Sequence, residues 1–349
     1  MNRRSLLIVA ALAIVAVALA VVGQRRPSAP MSTGAELLPE LAAVLDRIER
    51  ITVSRGGGEA VATLVPSATG WGVAEKDGYP ADVAKIRQAL TVLAEARILE
   101  EKTSDPDFYD RLGVEPIGTA SASGVVVAID AAGVDLPPLI LGDEASGTGR
   151  YVRRADEAPS FLIDRNPDVP RNTVQWLMPD IVDIRGASVQ SIVITHADGE
   201  RVEISKENPE QTDFAVADIP EGRELSYPGV ANAIGNTLRE LKLEDVASAV
   251  DDEAAEPAAV TEVRTFDGLV VTITSTAQGD EMWMTFAARH DGGSAAETPA
   301  AEEAADTNAE GPAQAEAINT RVRGWRYRIP TYQYDQLTRR LDDLLKAPA

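Results

Sequence analysis

Apolar and polar positions change period along the chain in an order that occurs twice. Tyr79, Pro80, Val83, Ile86, Leu90 and Leu93 are echoed, at the same offsets, by Tyr227, Pro228, Ala231, Ile234, Leu238 and Leu241. That three-or-four-residue spacing makes one face of a helix, so helices are predicted over 81–97 and 229–243. Each is preceded by a hairpin. Ile51–Val53 and Val61–Leu64 flank Gly56-Gly57-Gly58, and Val189–Ile194 and Val202–Ile204 flank Asp198-Gly199, a strong hairpin turn. Trp71-Gly72-Val73 and Phe214-Ala215-Val216 occupy corresponding places. After each helix, short apolar runs separated by Gly, Pro and Asp predict an antiparallel meander. In the first half these are Val125–Ile129, Leu139–Leu141, Tyr151-Val152 and Phe161–Ile163; in the second, Val260–Phe266, Leu269–Ser275, Met282–Ala287 and Trp325–Ile329. Further helical faces are read over 36–48, over 173–184 with an interruption at Pro179, and over 334–345, where Leu337, Leu341 and Leu344 share a side. The expected fold class is α+β, with two tandem duplicated units of antiparallel strands braced by helices, 36–186 and 187–349.

The N-terminus follows a different rule. Leu6 to Val22 is 17 consecutive apolar residues, 11 of them Leu, Ile or Val, with Arg3 and Arg4 before it and Arg25 and Arg26 after. As a helix it spans about 26 Å, close to a bilayer core, and its aliphatic content favours insertion by roughly 3 to 7 kcal/mol. Residues 1–23 are therefore read as a transmembrane anchor, with a signal peptide cleaved near Ala18-Leu19-Ala20 as the competing reading. The N-terminal amine tips the orientation towards N-inside, which puts the remaining chain outside the cytoplasm. Residues 24–35, with Pro27 and Pro30, read as a flexible tether.

Composition narrows the function classes. A formal charge of −22 repels phosphate backbones, so nucleic acid is not an expected partner. With no cysteine, disulfides, thiolate metal sites and a cysteine nucleophile are excluded. Residues 291–318 carry seven acidic and no basic side chains among Ala, Gly and Thr, and are read as a disordered insertion in the second meander.

Candidate chemistry is sparse. Gly56-Gly57-Gly58 lacks the Lys-Ser/Thr that follows in a phosphate cradle, and Asp105 and Asp107 suit turn capping. His196 and His290, the two imidazoles, are read as surface residues without the neighbours of a triad or metal site. No catalytic, cofactor-binding or metal-binding residues are assigned. The one concentrated cationic feature is Arg150, Arg153 and Arg154 around Tyr151, together with Arg321, Arg323, Arg326 and Arg328 interleaved with Trp325 and Tyr327. On strands these form a structural ladder or, alternatively, a contact for a partner, glycan or lipid headgroup.

Several short motifs in order, Trp71-Gly72-Val73 before Tyr79-Pro80, Tyr109 with Leu112-Gly113-Val114, Leu141-Gly142-Asp143, Tyr151-Val152-Arg153 and Gln175-Trp176-Leu177, resemble the bacterial DUF4340 family. The resemblance implies an envelope accessory role, since such proteins are often encoded beside ABC-type transporter components of the gliding-motility kind, and it supplies no catalytic residues. The second unit lacks a Leu-Gly-Val counterpart. The expected function is a non-enzymatic, single-pass accessory or adaptor subunit of an ABC-type transport complex. It would sit at the bacterial inner membrane with its bulk in the periplasm and permease or ATPase subunits as partners. An envelope ligand-binding module for glycan or lipid is the alternative, and a hydrolase the third reading.

Overall fold

The computed structural model describes residues 33–68, 70–147, 149–249, 256–279, 281–292 and 304–347. The Leu6–Val22 run and most of the tether lie outside them. Among the described residues, no helix is long and apolar enough to cross a membrane. The chain divides into two compact units between Met178 and Pro179.

Among its described residues, unit one is a nine-stranded antiparallel sheet with one long helix. Its strands are β1 (Ile48–Arg55), β2 (Glu59–Ser67), β3 (Gly70–Val73), β4 (Tyr79–Pro80), β5 (Ile98–Glu101), β6 (Val125–Ala131), β7 (Leu139–Glu144), β8 (Arg150–Arg154) and β9 (Ser160–Ile163). They lie in the order β4-β3-β2-β1-β6-β7-β8-β9-β5. Helix α1 (Val83–Glu95) starts at Asp82, whose carboxylate accepts from Lys85 N at 3.1 Å and meets one of the donors a helix start leaves unpaired. The helix therefore begins after Tyr79-Pro80, which is strand. Ile86, Ala89, Leu90 and Leu93 are buried on its inner face. They cover Ile51, Val127, Val169 and Trp176 around an apolar cavity with room for about one water-sized body.

Unit two repeats that order. Its elements are β10 (Asp180–Val182), β11 (Val189–His196), β12 (Arg201–Ser205), β13 (Ala215–Val216), a one-turn α2 (Asn232–Gly235), β14 (Leu241–Lys242), β15 (Asp245–Ser248), β16 (Ala259–Thr265), β17 (Leu269–Gln278), β18 (Glu281–His290), α3 (Ala304–Val322), β19 (Trp325–Arg328) and α4 (Thr331–Leu337). The main sheet runs β13-β12-β11-β16-β17-β18-β19-β15, which is the order of unit one without its edge strand β4. Finer details recur as well. Pairing slips by one residue at Glu49, between Ile48 and Arg50, and again at Gln190, between Val189 and Ser191.

Main-chain clasps close both units in the same way. Leu37 N donates to Ala96 O and Ile98 N to Ala35 O, each at 2.8 Å; in unit two β10 pairs with β14, and Leu243 N donates to Pro179 O at 2.9 Å. At the other end Asp82 N donates to Trp176 O (2.8 Å) and Met178 N to Pro80 O (2.9 Å), flanking an Ala81–Leu177 bridge. Ser226 N to Leu344 O and Lys346 N to Glu224 O, both 2.9 Å, flank the corresponding Leu225–Leu345 bridge. These clasps align Asp82 with Ser226, hence Val83 with Tyr227. The tyrosine echo in the sequence is thus displaced by one helical turn from the structural repeat. Tyr79 is buried, whereas Tyr227 is 58% exposed.

Several sequence expectations are corrected. The predicted helix over 36–48 is two 3₁₀ turns, Leu41–Ala43 and Leu45–Arg47, because the preceding backbone is drawn into the clasp with Ala96. The segment 173–184 is a 3₁₀ turn, Thr173–Trp176, followed by strand β10, since the residue ahead of Pro179 is forced out of helical geometry. The second brace helix, expected over 229–243, is the single turn α2. Gly229 (φ 75°) and Glu240 (φ 49°) are left-handed, and a Cβ on Gly235 would lie 2.1 Å from the Phe214 ring. The terminal helix breaks after Leu337 and resumes as a 3₁₀ turn at Asp342–Leu344, because Leu341 N is taken by Glu200 Oε1 at 2.9 Å. The insertion expected to be disordered over 291–318 is helical from Ala304. Gly311, Ala315, Ile318 and Val322 are its buried side, a helical stripe that apolar counting missed because two members are so small. Residues 293–303 of that insertion lie outside the described residues.

Candidate functional site

Alternation along β6, β7 and β8 gives the sheet of unit one two faces. Ile51 and Val127 face α1; Val126 and Ile140 face the opposite way. That second face is covered by the chain between β5 and β6. Pro106–Phe108 and Asp110–Leu112 form two 3₁₀ turns stopped by Gly113 at φ 67°, and Tyr109 and Val114 are thereby set against Val126 and Ile140, with Leu112, Ile117, Tyr151 and Ala155 around them. Glycine permits the approach. A Cβ on Gly142 would lie 2.1 Å from Leu112 O, and one on Gly124 2.4 Å from Gly113 O.

Of the arginines of β8, Arg153 holds this covering in place, while Arg150 and Arg154 fasten other stretches of the unit. Arg153 is buried; its Nε donates to Val114 O at 2.9 Å, and one terminal nitrogen reaches Ala155 O at 3.1 Å and Glu157 O at 2.8 Å. Its guanidinium lies 4.5 Å above the Tyr109 ring, and the Tyr109 hydroxyl donates to Ala158 O at 2.6 Å. Arg150 Nε donates to Gly142 O at 2.9 Å and its terminal nitrogen to Pro167 O at 3.0 Å and Asn166 Oδ1 at 3.2 Å. Arg154 donates to Leu37 O at 2.6 Å and pairs with Glu157 at 3.2 Å. Burial lowers the pKa values of Arg150 and Arg153 and raises that of Tyr109, against the pull of Arg153. A guanidinium stays protonated regardless, so these are permanent donors serving the chain's own carbonyls.

The cationic strand of unit two is built differently. Strand order makes β19 the counterpart of β9 rather than of β8, so the two arginine clusters do not correspond to one another. Tyr327 is fully buried, edge-on to Phe286 at 5.8 Å. Arg326 lies 4.7 Å over the Trp283 ring and donates to Gln278 Oε1 at 2.9 Å; Arg328 pairs with Glu281 at 3.1 Å. Arg323 points outward, 3.9 Å from Glu316, Trp325 is half-buried, and Arg321 donates to Ile181 O at 3.2 Å. Unit two also exposes side chains that sequence reading did not single out: Met282, 43% exposed, its sulfur accepting from the Tyr334 hydroxyl at 3.4 Å, and on the same helix as Tyr334, Tyr332, 66% exposed. The available signal is the Tyr-x-Tyr at the start of α4, ahead of the leucines that mark the apolar side of that segment.

The histidines are placed apart. His196, expected on the surface, is buried with Nε2 3.3 Å from Arg339 O, while His290 Nε2 is 2.8 Å from Asp267 O. Among the described residues, no group of three or more His, Asp or Glu is arranged to hold a metal ion.

Residues 71–261 match the family model described as domain of unknown function DUF4340. The chain belongs to this family. The DUF4340 match runs from β3 through the covering segment and arginine staples of unit one into β16 of unit two, and stops short of α3 and β19. Tyr109, Gly113, Val114, Gly142 and Arg153, scattered through the family-like motifs, meet in one place. No curated protein and no solved structure matches the chain.

Proposed function

We propose that this DUF4340 protein is a non-enzymatic accessory or adaptor subunit of an ABC-type transport complex. In this reading it is anchored in the bacterial inner membrane by residues 1–23 and presents two copies of one ancestral unit in the periplasm. The observation that carries a partner-binding reading is the contrast between the two cationic clusters. In unit one the guanidinium groups bind internal carbonyls, whereas unit two leaves Arg323, Tyr332 and Met282 exposed around the ends of β18 and β19. Arg, Tyr, Trp and Met are the residues enriched where proteins meet proteins. The transporter partner itself is inferred from the resemblance of the motifs.

Affinity purification of the tagged full-length protein from native membranes in mild detergent, with mass spectrometry of its N-terminus and companions, tests this. Recovery of an intact anchor with stoichiometric permease and ATPase subunits is expected, and a Tyr332→Ala/Met282→Ala variant should lose them. Isolated bait cut after Ala20 overturns the anchored-subunit reading in favour of an envelope ligand-binding protein.

A further inference from the structure

Strand β18 is ten residues long and β19 only four, and the two meet at Met284 and Tyr327. β18 therefore continues past its neighbour, and residues 287–290 present a sheet edge. An open edge is a template for another strand. Here it is closed by one side chain of α3. Ala288 N donates to Asn319 Oδ1 at 2.8 Å, and Asn319 Nδ2 donates to Ala288 O at 2.7 Å. A carboxamide carries the same donor and acceptor as a peptide unit, so Asn319 reproduces the pair of hydrogen bonds that a neighbouring strand would make.

The rest of α3 holds that amide in register. Its buried stripe of Gly311, Ala315, Ile318 and Val322 brings the helix against the sheet. At Gly311 the backbone comes so near the His290 ring that a Cβ would lie 2.3 Å from it. The corresponding strand of unit one, β8, is only five residues long and is followed by β9 after a short turn, so it has no comparable overhang.

We propose that α3 is an edge guard: through Asn319 it occupies the strand-addition site on β18 that would otherwise pair with β18 of a second copy of this chain. The outer side chains suit self-pairing, since Ala287 and Ala288 are small and Arg289 is neutralised within its own copy by Glu262 and Asp291, each at 3.1 Å. Antiparallel pairing about a two-fold axis makes each edge both donor and acceptor, with no like charges brought opposite one another near Ala288.

The test compares full-length wild type, Asn319→Ala and Asn319→Ala/Ala288→Pro in mild detergent by sedimentation velocity and amide exchange. Asn319→Ala should raise the self-associated fraction at least tenfold at equal concentration. The Ala288→Pro change removes the edge donor while leaving the β17 side of the strand intact, so the double variant should return to the wild-type fraction. Association in Asn319→Ala that persists in the double variant, or an Asn319→Ala chain that associates no more than wild type, overturns the proposal. Amide exchange guards against misfolding as the cause, since protection in β16 and β17 should stay at wild-type level in all three proteins. The Ala288 amide should lose protection in dilute Asn319→Ala and regain it as that variant associates; an amide that stays unprotected in the associated form overturns pairing through this edge.

Discussion

Units one and two carry the same strand order, the same slipped pair in the first strand and the same clasps, yet they finish the two faces of the sheet by different means. On one face unit one has the thirteen-residue α1 where unit two has the single turn α2. On the other, register aligns Val126, Ile140 and Arg153 with Val260, Thr274 and Thr285. The first set is roofed by Tyr109 and Val114; the second bears threonine, a side chain that tolerates water. A sheet can be kept while its coverings change, provided each covering brings its own polar satisfaction. Unit one does so with buried arginines, unit two with short polar side chains.

The largest expected break in this comparison comes from Arg153. Its replacement by Ala strips donors from the buried carbonyl of Val114 and the half-buried carbonyl of Glu157 and removes the cation stacked on Tyr109, and should destabilise unit one by about 3 kcal/mol. Thr285→Ala, at the matching position, should cost about 0.5 kcal/mol or less. Urea unfolding followed by hydrogen exchange in each unit separates the two.

Gly142→Ala should cost about 2 kcal/mol, because its methyl meets Leu112 O and the covering segment must lift. Unit two already carries a side chain there, Thr276, so Thr276→Ala should be milder. Faster exchange at Val114 N, which donates to Tyr109 O at 3.1 Å, reports the lifting directly.

A smaller effect is expected at the helix starts. Asp82→Ala removes the cap of α1 and should cost about 1 kcal/mol. Ser226→Ala at the matching position caps nothing and instead loses a 3.1 Å bond to Leu344 O, so its effect should appear in the clasp and leave α2 unchanged.

The smallest is a pH response in unit two. Asp198 is held below the usual carboxylate range chiefly by Glu200 N and then by Arg340; Asp291 is lowered by Arg264 and Arg289. A depressed folded pKa means stabilisation present above the ordinary carboxylate pKa and lost as pH falls through the folded value. Exchange at the Asp198-Gly199 turn and around Asp291 should therefore quicken on acidification below the ordinary range, and Asp198→Asn should flatten that response at its turn. The solvent exposure of these groups keeps the effect modest.

The strands were legible because their alternation is regular and the turns are strong: Asp198-Gly199 and Gly56-Gly57-Gly58 each join the expected hairpin. What misled was periodicity judged without backbone chemistry. Ile234 and Leu238 do recur at helical spacing, but Gly229 and Glu240 turn the chain on either side of them, and Gly235 seats the one-turn helix against Phe214. Residues 304–322 show the reverse, since a helix held by Gly311 and Ala315 offers little apolar signal to count. The arginine clusters were visible as charge, and only the geometry of their carbonyl partners distinguishes a staple from a surface contact.

The clasps also define a path for mechanical load. In unit one the entering chain is fastened beside Ala96 and Ile98, and the leaving chain beside Pro80 and Asp82, at opposite ends of α1. A pull along the polypeptide would strain those few main-chain bonds before any bond in the sheet. Stretching would thus proceed by releasing fasteners at either end of the helix, with the sheet left as an intact spring leaf that can be clipped shut again.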